Sequence, residues 1–471
     1  MKNYPLKSFI FILYIVLTLT VWGESIPFQS DKVFESYGAM KDPLGYDQLI
    51  RLYLISSSLT ESELPGYEQK IKLILEESED LVSTSMAEAE KTEALLSFMH
   101  RKLLKRYSLT QTRLDTLIDR GTYNCVSSAA FFIILTRYHG IRIEGIHVDD
   151  HAFCILPSRG DRIEIDIETT SEWGFDPGSR KEFHSSFTDK TGFVYVPPGN
   201  YRQRVHLGDK DMAGLILQNR IVELQKRNKH RDALTLSADR LVLTGSLQAQ
   251  SDYFDTVQNA AALLNTQKDY LAAVSLINEA STGPYSVPAF LKNTRSQILY
   301  NACAEMVNNN KLQEAADFLA AQGDYMMPSE QSMMKFLIAQ RTLELKVGEP
   351  FSRATINEIK QALDSTLITE ARALSLAAYH YSLQAELFSA EGRHKEALNF
   401  LQGAPSWVQQ DREYKRILNI IRDNTAIAYH NQMLVLINEG KKKEAEELLN
   451  EALDLIPGHS LLLQDKRNIT R

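Results

Sequence analysis

The chain has 471 residues, 44% hydrophobic and 24% charged, which is ordinary globular composition and enough for two or three domains. Its 52 Lys and Arg against 60 Asp and Glu leave a formal charge of -8, with no concentrated basic stripe, so nucleic acid is not an expected partner. The three cysteines, Cys125, Cys154 and Cys303, form no CxxC pair and are too few for a disulfide framework, which argues against a zinc site or a redox dithiol.

At the start, Lys2 and Lys7 precede the apolar run Phe9–Trp22 and the small residues Gly23-Glu24-Ser25. A basic segment, a short apolar core and a small-residue exit describe an export signal over 1–25, which places the protein in the periplasm or envelope of a bacterium. The run falls short of the roughly 20 residues of a comfortable span, so membrane attachment is expected only if this segment stays uncleaved. No cysteine follows it that could carry a lipid.

Residues 26–86 read as helical. Tyr46–Ser57 and Tyr67–Val82 carry apolar side chains at i, i+3, i+4 spacing, and Pro65-Gly66 is taken to separate them. The segment is expected to pack on the following domain rather than serve as a lid. A further helix over Lys91–Tyr107 turns Leu95, Leu96, Met99, Leu103 and Leu104 inward and leads through Leu109–Asp119 to Gly121.

The stretch from Gly121 to Thr170 concentrates the chemistry. Asn124 is placed to cap a helix running from Cys125 through Tyr138, with Gly140 as its C-terminal stop. Cys125 then lies in the first turn, where the positive end of the helix dipole favours thiolate. Two strands follow, His151–Leu156 and Arg162–Ile167, joined by the turn Pro157-Ser158-Arg159-Gly160. A hairpin tip between Ser158 and Arg159 sets His151 directly across from Asp166. Opposed residues have Cβ atoms about 4.5–5.5 Å apart, within reach of an imidazole–carboxylate hydrogen bond. The same alternation turns Cys154 to the other face. Cys125, His151 and Asp166 thus come in the order nucleophile, base, orienter. Glu168 either forms an ion pair near the site or ends its strand. Asp149, Asp150, His151, Asp166 and Glu168 offer oxygen and nitrogen donors for zinc or manganese, but their spacing fits no metal motif and leaves Cys125 unexplained. No calcium loop is present, and neither metal nor cofactor is expected.

These residues resemble the transglutaminase-like superfamily of papain-related cysteine enzymes over Glu93 to Pro198. The resemblance rests on Asn124-Cys125-Val126-Ser127-Ser128-Ala129 opening a helix, His151-Ala152-Phe153 starting one strand, and Ile165-Asp166-Ile167-Glu168-Thr169-Thr170 on the next. Many members have Gly-x-Cys, where this chain has Tyr123-Asn124-Cys125. The resemblance implies an α+β domain over 26–206 with Cys125 as nucleophile, His151 as general base and acid, and Asp166 as orienter. The expected substrate is an amide in a peptide, protein or cell-wall fragment, cleaved by water or transferred to an amine. The competing expectation is a non-catalytic scaffold that only binds peptides. Trp173 and Phe175, just beyond the site, either line a substrate groove or fill the core.

Pro197-Pro198-Gly199 punctuates the end of this region, and over 207–471 no strand signal survives. Five similar turns, beginning at Asn228, Lys268, Asn310, Gly392 and Gly440, each lead to an alanine early in the next helix: Ala233, Ala273, Ala315, Ala397 and Ala445. With the closing Ala452–Pro457 segment they resemble divergent tetratricopeptide repeats, at steps of 40, 42, 82 and 48 residues, the third spanning two units. The resemblance implies an all-α helical solenoid that docks a protein partner. A spacer that binds nothing, or a solenoid that is the main module with the first domain as its cap, are the alternatives.

Overall fold

The structure, a computed structural model, describes residues 30–148, 151–160, 163–192, 204–282 and 285–469. The expected export signal, Pro197-Pro198-Gly199, and Asp149 and Asp150 lie outside the described residues. Among the described residues the fold is predominantly helical with two small sheets, and no helix is long and apolar enough to cross a membrane.

The chain divides into two compact units that meet between Leu291 and Lys292. In the first, α1 (Lys32–Ala39), α2 (Tyr46–Ser56), α3 (Leu64–Glu76) and α4 (Glu88–Lys102) precede a two-stranded parallel sheet, β1 (Arg106–Tyr107) and β2 (Thr122–Tyr123), which flanks α5 (Leu114–Arg120). Next come the buried helix α6 (Cys125–Tyr138), the strands β3 (Glu144–Val148), β4 (His151–Leu156) and β5 (Ile165–Ile167), helix α7 (Lys181–Thr191) and β6 (Val205–Leu207). The four strands form an antiparallel sheet in the order β5-β4-β3-β6.

Most of the local expectations hold. Leu95, Leu96, Met99, Leu103 and Leu104 are buried, although α4 stops at Lys102 and Arg106–Tyr107 is a strand. Pro65-Gly66 does not separate two helices; it sits within the first turn of α3, where a missing N–H costs no hydrogen bond. The N-terminal helices pack as expected: Leu49, Leu52, Tyr53 and Ile71 share one core with Phe131, Phe132 and Ile134 of α6.

A domain boundary at 206/207 marks a change of secondary structure but not of packing. Helices α8 (Asp209–Lys226), α9 (His230–Thr244), α10 (Leu247–Thr266) and α11 (Tyr270–Ala280) belong to the first unit. At the start of α8, Asp209 takes both terminal nitrogens of Arg137 at 2.8 Å and also accepts the Leu44 N–H at 2.7 Å. Met212, Ile216 and Leu217 of α8 enter the same core as α6. On α9, Asp239 accepts the Asp31 N–H at 2.7 Å and ties α1 down.

The second unit consists of α12 (Ala289–Asn308, which begins just before the division), α13 (Leu312–Gln322), α14 (Pro328–Val347), α15 (Arg353–Asp364), α16 (Glu370–Ala390), α17 (His394–Gln402), α18 (Arg412–Asn438), α19 (Lys442–Leu455) and α20 (Ser460–Ile469). All five repeat alanines, Ala233, Ala273, Ala315, Ala397 and Ala445, are fully buried, because only a methyl group fits where paired helices approach. Each lies five residues after a left-handed turn residue: Asn228, Lys268, Asn310, Gly392 and Gly440, with φ between 58° and 76°. The 82-residue step contains the additional pair α14–α15. Its turn is built differently, with Ser352 capping α15.

Candidate active site

Helix α6 presents Cys125 as its first residue. Asn124 Oδ1 accepts the Ser127 N–H and Ser127 Oγ accepts the Asn124 N–H, both at 2.9 Å, a reciprocal cap that fixes where the helix begins. The residues from Cys125 to Thr136 are all buried, so the thiol rides on a rigid element. The Asn124 Nδ2 also donates to the Leu109 carbonyl at 3.2 Å, which anchors the turn to the preceding loop.

His151 opens β4 beside Cys125. Its carboxylate partner is Glu168, not Asp166: Nε2 lies 2.6 Å from Glu168 Oε2. The hairpin register pairs Ile155 with Asp166 and Cys154 with Ile167. Asp166 is therefore on the face expected of it but four residues along β4 from His151. The displacement comes from the connection, in which Gly160 takes a left-handed conformation (φ 61°), so the chain reverses later than Ser158–Arg159. β5 is correspondingly short, starting at Ile165 rather than Arg162. Extending the register by one residue beyond β5 sets Glu168 across from Phe153, diagonal to His151, a separation that a side chain one methylene longer than aspartate spans.

Glu168 is firmly held. Its Oε1 accepts the Thr170 hydroxyl at 2.7 Å and the Thr170 N–H at 3.1 Å, which leaves Oε2 for the imidazole. The Glu168 backbone N–H donates to the Gly174 carbonyl at 2.8 Å. A Cβ at Gly174 would stand 1.9 Å from the Glu168 carbonyl oxygen, so only glycine allows this approach. Tyr123 donates its hydroxyl to the Thr170 carbonyl (3.2 Å), while Ser128 and Thr169 share a hydroxyl contact at 2.8 Å. His100 Nε2 lies 3.1 Å from the Thr169 carbonyl.

Burial opposes a charged His151, but the Glu168 carboxylate and the Cys125 sulfur together outweigh it and hold the imidazole pKa well above its ordinary value. The favoured charge state is an imidazolium between a carboxylate and a sulfur. Its ring is flanked by Phe153, stacked at 6.3 Å, and by Phe187 of α7, edge-on at 6.0 Å.

Asp166 serves elsewhere. Its Oδ1 is 2.6 Å from Arg204 Nη2, which also lies 3.2 Å from Glu164. Burial raises the Asp166 pKa, and Arg204 works against that rise. The same guanidinium stands 5.2 Å from the Phe153 ring centroid. Cys154 and Cys303 are inert by environment: their sulfurs face the carbonyls of Ala129 (3.8 Å) and Ala315 (3.7 Å), and burial pushes both thiols up, Cys303 to about 11. Phe175 is core, whereas Trp173 is 43% exposed. Among the described residues no group of three or more His, Cys, Asp or Glu is arranged to hold a metal.

The role of Glu168 as the imidazole's partner, and the parts played by Thr170, Arg204 and Phe187, escape the sequence reading. Alternation already sets Asp166 and Glu168 on one face, so the missing information is the position of the reversal. Comparison with known proteins adds nothing to this geometry: no family model, no curated protein and no solved structure matches the chain.

Proposed function

We propose that the protein is an exported thiol enzyme of the transglutaminase-like, papain-related kind, acting on amide bonds through Cys125, His151 and Glu168, with a tetratricopeptide-like solenoid that docks a protein partner. The observation that carries this reading is the buried chain of contacts from the Cys125 thiol through His151 to Glu168. A carboxylate on Nε2 orients the ring and supports its charged form, leaving Nδ1 to face the sulfur. The Cys125 thiolate attacks the amide carbonyl carbon, and the C–N bond breaks as His151 gives its proton to the leaving amine. A thioester remains, which water or a second amine resolves, returning the proton to the Cys–His pair. By position in the first turn, the N–H groups of Cys125 and Val126 have no intrahelical acceptor, and on this reading they are assigned to the oxyanion.

The test is amide hydrolysis and amine incorporation, screened over peptides and cell-wall fragments and compared with Cys125→Ala. Activity lost in that variant, with melting unchanged, is the expected result; an unchanged rate refutes the reading. A second reading, a catalytically retired scaffold, draws support from the low exposure of Cys125 (5%) and His151 (8%). It requires alkylation of Cys125 to be slow and indifferent to His151→Ala.

A further inference from the structure

An amide carbonyl carbon must come within about 3–3.5 Å of an attacking sulfur. At 5% exposure for Cys125 and 8% for His151, the thiol and imidazole are closed to any peptide. The element packed against the imidazole is α7. Its Phe183 and Phe187 are buried and stacked on each other at 5.0 Å, and Phe187 meets the His151 ring edge-on at 6.0 Å. One turn further along the same face, Lys190 Nζ stands 5.6 Å from the ring centroid of Tyr123, two residues before the thiol. Phe183, Phe187 and Lys190 fall at i, i+4 and i+7, one stripe of an otherwise polar helix.

We propose that α7 is a movable cover over the Cys125–His151 pair, with Phe187 as its plug, and that substrate enters when α7 lifts. This rests on the reading of Cys125 as a nucleophile. Three features favour motion of α7 over motion of the elements beneath it. Apart from its two phenyl rings, the described side chains of α7 are exposed or half-buried, whereas α6 is buried along most of its length. The backbone turns through left-handed conformations on both sides, at Asp176 (φ 49°) and Gly192 (φ 78°), where rotation redirects the whole segment. Its leading end is tied to α4 by the partly exposed ion pair Arg180–Glu93. Elements held this sparsely open far more readily than the core they cover. Lifting α7 removes one of the two aromatic walls from His151 and uncovers the thiol in the same movement.

The test is the size dependence of Cys125 alkylation in the full chain, comparing iodoacetamide with a polymer-linked maleimide. Each rate is normalised to that of the same reagent with a free thiol. Wild type is expected to discriminate against the large reagent by about 100-fold, and Phe187→Ala to relieve that by about tenfold, as for a helix whose local opening is rate-determining. Arg180→Ala, which leaves the buried rings in place, is expected to relieve it in part. Labelling of Cys154 reports global opening; where Phe187→Ala exposes Cys154 as well, Arg180→Ala decides. Equal normalised rates for the two reagents in wild type, or a discrimination unchanged in both variants, overturns the cover. The readout needs no substrate, so failure of the amide assay leaves it standing, and its own failure leaves the Cys–His–Glu assignment standing.

Discussion

Glu168→Gln is the sharpest perturbation of the site, because it keeps the shape and removes one charge. The amide oxygen still accepts from His151 and the amide NH2 donates to the Thr170 hydroxyl, while the Thr170 N–H loses its acceptor. What disappears is the anion 2.6 Å from Nε2, in a pair whose side chains are 10% and 3% exposed. Unit charges about 4 Å apart interact with about 4 kcal/mol at an effective dielectric of about 20. Part of that is already spent on desolvation, and an adjacent opposite charge typically moves a pKa by about 1–3 units, or about 1.4–4 kcal/mol. The imidazolium of His151 loses that support, and its pKa falls back toward the ordinary imidazole value. The expected result is a fall of at least tenfold in the iodoacetamide rate of Cys125 near pH 7, with the deficit closing as the pH is raised. Asp166→Asn is the internal control, since Asp166 pairs with Arg204 and not with His151. The assay is the alkylation rate from pH 5 to 9 for wild type and both variants. A profile that moves with Asp166→Asn and not with Glu168→Gln refutes the assignment of Glu168.

Three further outcomes follow from the same geometry. Thr170→Val keeps the shape but removes the hydroxyl that clamps Glu168, a bond to a charged group contributing about 1.5–3 kcal/mol; neutral-pH alkylation of Cys125 should fall about tenfold, with Thr170→Ser restoring it. Burial, then the nearby Lys190 charge, push the His100 pKa down to about 3, so this ring stays neutral in the folded chain. The unfolded chain takes up that proton at about 6.5, so stability rises with pH between about 3 and 6.5, by about 1.4 kcal/mol per unit from this group. His100→Gln, which preserves a donor toward Thr169, should therefore move the acid-unfolding midpoint to lower pH, and an unmoved midpoint contradicts the assignment. In the second unit, Ala397→Leu inserts three carbons where the side chain is fully buried and should cost about 1–3 kcal/mol in urea unfolding. The same change at exposed Ala390 should be nearly neutral.

Local rules carried the sequence a long way in this protein. Asn124 as a cap, Cys125 in the first turn, Gly140 as a stop, the strand from His151 and the five buried alanines all follow from interactions within a few residues, where hydrogen-bond capping and side-chain periodicity dominate. The face of Asp166 was legible for the same reason, because strand alternation has a period of two. The partner of His151 was not. It depends on where the chain reverses between β4 and β5, and a left-handed Gly160 moved that point and with it every pairing by four residues along the partner strand. The carboxylate that reached the imidazole was then the longer one, held by Thr170 and by the close approach of Gly174. The division at Leu291 and the packing of Phe187 on His151 likewise arise from contacts between segments far apart in the chain. Periodicity shows that a side chain will be buried; only the folded packing decides against what.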